Sequence, residues 1–346
     1  MKRACVLLCA FLLLLAALPA GASQVKTSGD YRYSLDEEGK AVITAHLVGE
    51  AEIAVPGQVD GYPLTAIGEE VFSGRDSLIS ISLPEGLTRI DDRAFSFCVY
   101  LENLTLPDSL SLIGFQAFAF CMSLRELALP DGLTAIGYEA FTDCEALESL
   151  ILPEGLLSIG SLAFSLCPAL SSQTLPASLT QVGMNPWADT PAALTLAPGN
   201  PVLALRDSVL FHEGEHKLIT FPYGDGRSTY FVPEGTLVIG GWAFRSCEAL
   251  TDITLPEGLH TIEEASFAGC IGLTGLTLPS GLRSIGNDAF VGCEGLQTLS
   301  LNAGIEYIGE EVFADCPSLT LSVVRGSYAE TWAMENSVPF IYTGEQ

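Results

Sequence analysis

Positive charge is what this sequence has least of. Fifteen Lys and Arg stand against 42 Asp and Glu in 346 residues, a formal charge of −27. That balance excludes nucleic acid and anionic membrane surfaces as natural partners, because both require a basic face. Charged residues of both signs make up only 16% of the chain while 48% is apolar. A chain this hydrophobic is not disordered, and its acids belong on a thin polar skin. Long apolar runs are absent after the first 22 residues, so no later segment approaches the roughly 20 residues that a membrane-spanning helix needs. Histidine is scarce, with four in the chain, and none of the ten cysteines forms a C-x-x-C pair, which removes the commonest zinc-knuckle spacing.

The first 22 residues have their own logic. Lys2 and Arg3 precede an apolar run over residues 4–17, then Pro19 and the small triplet Ala20-Gly21-Ala22. This order of basic, apolar and small residues reads as a secretory signal over 1–22, cut after Ala22. The run is too short for a retained anchor, and Cys9 lies too early for lipid attachment. Removal of Lys2 and Arg3 would leave 13 bases against 42 acids in a soluble chain outside the cytoplasm.

The remainder is organised by a period of 23. Leu-Pro recurs at Leu83-Pro84, Leu106-Pro107, Leu129-Pro130, Leu152-Pro153 and Leu175-Pro176, resumes at Val232-Pro233, Leu255-Pro256 and Leu278-Pro279, and fades at Leu301-Asn302. An aromatic keeps step: Phe72, Phe95, Phe118, Phe141, Phe164, Trp187, Phe244, Phe267, Phe290 and Phe313. These mark ten coils. In one of them, Leu104-Thr105-Leu106 alternates with period two and predicts a short strand with its leucines inward. Pro107 ends the strand, since it cannot donate to a ladder. Leu110 and Ile113 point inward, Gly114 permits a tight turn, and Ala117-Phe118 fill a short helical turn. A single coil of this kind cannot bury enough to stand alone, so neighbours must stack and the ends must be capped. At about 4.8 Å per strand, ten coils make a rod of roughly 50 Å.

Residues 23–54 do not follow the period. The runs 30–35 and 41–44, joined by the polar turn 36–40, read as a β-hairpin that covers the N-terminal edge. Residues 324–346 form the other cap, with an N-capped amphipathic helix over 327–336 in which Trp332 and Met334 close the last coil. Between Leu175 and Val232 the step is 57 residues, one coil plus an insertion at about 199–231 that reads as a hairpin projecting from the rod. The coil around Trp187 is irregular as well, with Gln173 at a leucine position and Thr190 at a cysteine position.

Eight cysteines, at 98, 121, 144, 167, 247, 270, 293 and 316, share one repeat slot. Side chains in equivalent slots run parallel into the core, which favours a ladder of buried free thiols; bridges between adjacent coils are the alternative. Acids form a column after the proline, at Glu85, Asp108, Asp131, Glu154, Glu234 and Glu257, read as solvated surface, with weak cation binding the alternative. The segment His212-Glu213-Gly214-Glu215-His216 satisfies the letters of two zinc-hydrolase motifs, yet those work on a helix. With a central Gly between two strand-like runs it reads as a turn, so no catalytic, cofactor or metal residue is assigned. The outward strand positions make a flat, hydroxyl-rich face, and the residues expected to meet a partner there are Asn103, Thr105, Glu126, Ser149, Ser172, Thr174, Asp252, Thr254, Thr277 and Thr298. Alternative anchors are Phe97, Tyr100, Phe115, Phe120, Tyr138 and Trp242, whose slots do not face inward; packing against neighbouring turns is the other reading of these six.

The repeats Leu83-Pro84-Glu85-Gly86-Leu87-Thr88-Arg89-Ile90, Leu129-Pro130-Asp131-Gly132-Leu133-Thr134-Ala135-Ile136-Gly137-Tyr138-Glu139-Ala140-Phe141 and Cys144-Glu145-Ala146-Leu147 closely resemble the BspA-like leucine-rich repeat family of secreted and surface bacterial proteins. Val55-Pro56 with Gly61-Tyr62-Pro63-Leu64, and Gly326-Ser327-Tyr328-Ala329, fit the same pattern, and the resemblance covers residues 55–323. It implies a right-handed leucine-rich repeat solenoid with short parallel strands on one face, and a non-enzymatic role in adhesion or binding to an extracellular protein or glycan. A structural envelope role and, through residues 212–216, a zinc hydrolase are the competing readings. Family membership fixes the scaffold and leaves the partner open.

Overall fold

The structure, a computed structural model, describes residues 24–343. The export segment read at 1–22 lies outside the described residues. The chain winds as a solenoid in which three rows of backbone hydrogen bonds run from coil to coil, the first of them interrupted at several steps. The first row is the predicted one. Ser80–Ser82 and Asn103–Thr105 pair in parallel with Ser80 opposite Asn103 and Ile81 opposite Leu104, and in most of these strands the central side chain is buried between exposed neighbours, as in Glu126–Ala128, Ser149–Ile151 and Asp252–Thr254. The period-two reading of residues 104–106 describes this geometry.

The second row has no alternating pattern in the sequence. Arg89–Ile90, Leu112–Ile113, Ala135–Ile136 and Ser158–Ile159 are two-residue strands that pair in parallel from coil to coil, each burying its isoleucine. A strand of two residues is too short to show alternation, so Ile113 registers in the sequence as an inward residue and no more.

The third row runs through the aromatic turn. The amides of Arg93, Phe95 and Phe97 donate to the carbonyls of Phe115, Ala117 and Ala119 in the next coil at 2.7 to 2.8 Å, while the intervening amides of Ala94, Ser96 and Cys98 donate three residues back, to Asp91, Arg93 and Phe95. Donors therefore alternate between the coil and its neighbour, and the segment is a string of tight turns. The residues two before and two after the ring take left-handed φ angles, 53° at Arg93 and 61° at Phe97. Among the described residues the single α-helix is Tyr328–Glu335.

Glycine acts here by its missing side chain. Gly114 and its equivalents Gly137 and Gly160 do not have positive φ. A Cβ on Gly137 would instead lie 2.5 Å from the Gly114 carbonyl carbon, and one on Gly160 would lie 2.4 Å from the Tyr138 amide nitrogen. The turn expected at Gly114 is thus a close backbone approach between coils.

These rows align the rings. Phe72, Phe95, Phe118, Phe141, Phe164 and Trp187 stack with centroids 5.1 to 6.0 Å apart, close to the strand spacing that sets them. A second stack runs Phe221, Phe244, Phe267, Phe290, Phe313. Trp332 closes it edge-on to Phe313 at 5.8 Å, and Ser327 caps the terminal helix by accepting from the Glu330 amide. Met334, expected beside Trp332, is instead 55% exposed, because the helix turns it away from the last coil. At the other end Tyr31–Leu35 and Ala41–His46 form the antiparallel hairpin, with Lys26–Ser28 added outside, and Ala41–His46 then pairs in parallel with Tyr62–Ile67.

The insertion departs from expectation. Leu203–Arg206, Val209–His212 and Lys217–Thr220 form an antiparallel meander, but it does not project. Lys217–Thr220 pairs in parallel with Val238–Ile239 and starts a seven-stranded sheet, separate from the ten-stranded sheet that ends at Gln181–Val182. The physical reason is an apolar load on both faces. Leu203, Leu210 and Ile219 pack into the first core, whereas Val209, Phe211, Leu218 and Phe221 pack into the second. The meander replays the N-terminal cap: Gly68 N donates to Ile43 O and Gly240 N to Leu218 O, both at 2.8 Å, while His46 meets Phe72 and Phe221 meets Phe244 at 5.4 and 5.0 Å. It is an internal cap. Phe221 lies 23 residues before Phe244, so the period of the ring column continues into the internal cap.

Candidate binding surfaces

All ten strand-face residues are exposed, yet the structure does not bring them into one continuous surface. The row breaks into short sheets, and the internal cap separates Asn103, Thr105, Glu126, Ser149, Ser172 and Thr174 from Asp252, Thr254, Thr277 and Thr298. The latter four converge. They line a depression of about 580 Å³ together with Glu257 and Ser300. Its cause is Gly275, whose strand has only two residues and around whose absent Cβ nothing lies within 4 Å. On this stretch the ladder is reduced to a single bridge between Thr254 and Thr277. Neither Asp252 nor Glu257 has an ion-pair partner among the described residues, so the depression offers hydroxyls around uncompensated carboxylates.

Two apolar side chains stand out of the same face. Ile151 is 76% exposed and Phe231 71%, the latter directly beside Thr254 in register. Phe231 was missed in the sequence because its strand, Thr229–Phe231, sits inside the irregular step. The remaining aromatic candidates lie on the turn side. Phe97 and Phe120 stack at 4.3 Å, Phe115 and Tyr138 at 5.5 Å, and Arg245 covers Trp242 at 4.3 Å. Tyr100 is exposed. Four of them thus pair along the rod, and none of the six joins the strand face.

The segment 212–216 links two antiparallel strands, so His212 and His216 do not share a helix face. His212 Nδ1 accepts from the Glu215 amide at 3.1 Å, and Glu213 is held by Arg206 at 2.5 Å. No group of three or more His, Cys, Asp or Glu placed to hold a metal ion occurs among the described residues. The eight cysteines of the repeat slot are free thiols. Most of them donate to the carbonyl of the ring residue one coil earlier, as Cys98 does to Phe72 at 3.1 Å and Cys270 to Phe244 at 3.0 Å; Thr190 does the same to Phe164 at 2.7 Å.

No helix among the described residues is long and apolar enough to cross a membrane. Among solved structures the chain is similar to the pneumococcal vaccine antigen PcpA, with 25% identity over 87% of this chain and 82% of that one and a TM-score of 0.72. It is also similar to a leucine-rich cell surface protein of Faecalibacterium prausnitzii, with 25% identity over 91% of this chain and 98% of that one and a TM-score of 0.64. A leucine-rich repeat protein of Eubacterium ventriosum shares the fold at 18% identity, covering 88% and 79% of the two chains with a TM-score of 0.61. No curated protein matches. The family model for the BspA type leucine rich repeat region matches six copies over residues 65–192 and 223–332, and the stretch between the two spans holds the internal cap. With the coil pattern, the ring stacks and this match over most of its length in agreement, the chain belongs to the BspA-type leucine-rich repeat family.

Proposed function

We propose that the protein is a non-enzymatic binding module of the cell surface or extracellular space, which engages an extracellular protein or a glycan through its strand face, with the depression over Gly275 as the centre of contact. One observation carries this reading: Asp252, Thr254, Thr277 and Thr298 converge around a hollow that no neighbouring side chain fills. A rigid scaffold holds these groups in place before binding, which lowers the ordering cost of association. Phe231 beside the hollow supplies an aromatic of the kind that anchors interfaces. Relatives described as a vaccine antigen and a cell surface protein support the location.

The test immobilises the chain from Ser23 onward and measures retention of extracellular-matrix proteins, mucins and bacterial surface material. Retention of at least one of these, abolished by Gly275→Arg, is the expected result. Open space at Gly275 lets that variant fold, which its melting curve verifies. Failure across the whole panel overturns the reading, and self-association without any ligand would favour the structural envelope role instead.

A further inference from the structure

Two residues after each stacked ring the chain sets a side chain on the aromatic turn, and these side chains make a column along the rod. Through the first block the column reads Gly74, Phe97, Phe120, Asp143, Leu166 and Asp189. All six have left-handed backbone, with φ from 55° to 68°, a conformation that glycine adopts freely and aspartate tolerates. In the second block Gly269, Gly292 and Asp315 hold the slot as that preference predicts. Phe97 and Phe120 do not. A bulky ring is costly in this conformation, and Phe97 recovers little through burial, being 50% exposed. The fold does not ask for these two rings.

The two acids of the column stand on either side of Leu166. Asp189 is engaged: its Oδ2 accepts from Arg245 Nε at 2.7 Å, and the same guanidinium lies over the Trp242 ring at 4.3 Å. Arg245 reaches it from the far side of the internal cap. Asp143, in the equivalent slot two coils earlier, has no ion-pair partner among the described residues. Burial and the neighbouring Glu145 carboxylate push it up, the direction of an acid that lacks a countercharge. One column therefore holds the same carboxylate twice, once with an arginine and an aromatic ring and once with an aromatic ring alone.

The side chains around Asp143 shape a gap. Phe120 stands one coil before it, backed by Phe97 with ring centroids 4.3 Å apart and planes within 4°. Leu166, 46% exposed, stands one coil after it. Neighbouring coils are about 4.8 Å apart, so the two longer side chains flank the short carboxylate about 10 Å from each other. A flat cation suits this gap, because it can face the Phe120 ring while its N–H groups reach the carboxylate. An ammonium group offers the charge without the plane. With 42 acids against 15 bases, the chain also attracts basic partners over a distance. We propose that the gap between Phe120 and Leu166 binds an arginine side chain of a partner protein, with Asp143 accepting from its guanidinium and Phe120 lying against its face. Asp189, Arg245 and Trp242 are the internal precedent. The site lies apart from the strand face and does not depend on the depression over Gly275.

The test titrates the chain from Ser23 onward with the blocked tripeptide glycyl-arginyl-glycine and its lysine and citrulline counterparts, observing the peptide by NMR. Salt at about 150 mM screens diffuse attraction to the acidic chain. The arginine peptide should bind saturably in the millimolar range, the lysine peptide about threefold more weakly, and the neutral citrulline peptide not at all. Asp143→Asn should weaken arginine binding about tenfold, the loss of a charged hydrogen bond, and leave the melting temperature unchanged or higher. Phe120→Ser should weaken it about threefold; Ser246 holds the same slot with φ 53°, so this variant folds, which its melting curve verifies. Glu154→Gln, which removes one exposed acid elsewhere, and Gly275→Arg should bind as the parent does. No saturable binding at about 50 mM, or equal effects of Asp143→Asn and Glu154→Gln, overturns the proposal. Binding lost in Gly275→Arg would do the same, by assigning the arginine to the strand face.

Discussion

A thiol in the same slot of coil after coil acts here as a small buried hydrogen-bond donor, bonding the ring carbonyl one coil back, from Cys121 to Phe95 at 3.3 Å and from Cys293 to Phe267 at 3.1 Å. Burial pushes the Cys98 and Cys167 thiols up to about 12 and raises the others as well. Thiolate is the reactive species, so Ellman's reagent at pH 8 should leave the fully buried cysteines untouched in the native protein and reach Cys316, the partly exposed one, first. Rapid reaction of all eight in the folded state would contradict this. The same shift sets a pH dependence. An unfolded thiol loses its proton near about 8.5, where the folded thiol still holds it, so the folded state binds more protons and stability falls as pH rises through this range. Melting temperatures measured from pH 7 to 10 should therefore drop above about pH 8.5. At Gly137 the constraint is space: Gly137→Ala forces a methyl group against backbone on the adjacent coil, and equilibrium denaturation should show a loss of about 2–3 kcal/mol or more.

At the scale of elements, the internal cap is the feature that links the two solenoid blocks, and its two faces serve different cores. Leu210→Ala should cost about 2–5 kcal/mol and Phe211→Ala about 3–5 kcal/mol. Their footprints should differ: hydrogen exchange should quicken first in the block before residue 203 for Leu210→Ala and after residue 220 for Phe211→Ala. Identical exchange patterns would mean that the cap does not partition the cores. Deletion of 199–231 removes a wall from both and should yield aggregate, in contrast to the trimmed but folded rod that a projecting hairpin would leave. The sequence showed that a hairpin lies here, because Val209-Leu210-Phe211 and Leu218-Ile219 flank a polar turn. It also held the clue to burial: both runs are continuously apolar, the pattern of a strand covered on two sides.

For the whole molecule, the imbalance of charge dominates. With 42 acids against 15 bases, and Arg93 bridging Glu69 and Glu70 as one of few compensating clusters, the folded rod carries self-repulsion that added salt screens. Raising sodium chloride from about 10 mM to about 500 mM should raise the melting temperature, as the screening length shrinks from about 30 Å to a few ångströms. A fall in melting temperature over that range would show that ion pairs outweigh the repulsion.

The repeat length, the ring column, the thiol column and the two end caps were all legible in the sequence, because in a solenoid each residue meets its counterpart 23 positions away, and a one-dimensional period becomes a three-dimensional contact. What the period could not express was left to tertiary structure. Strands of two residues, such as Leu112–Ile113, have no pattern of their own and exist because the coil on each side pairs with them. The hollow over Gly275 arises where the stacking lapses, and a lapse has shape only once the neighbouring coils are in place.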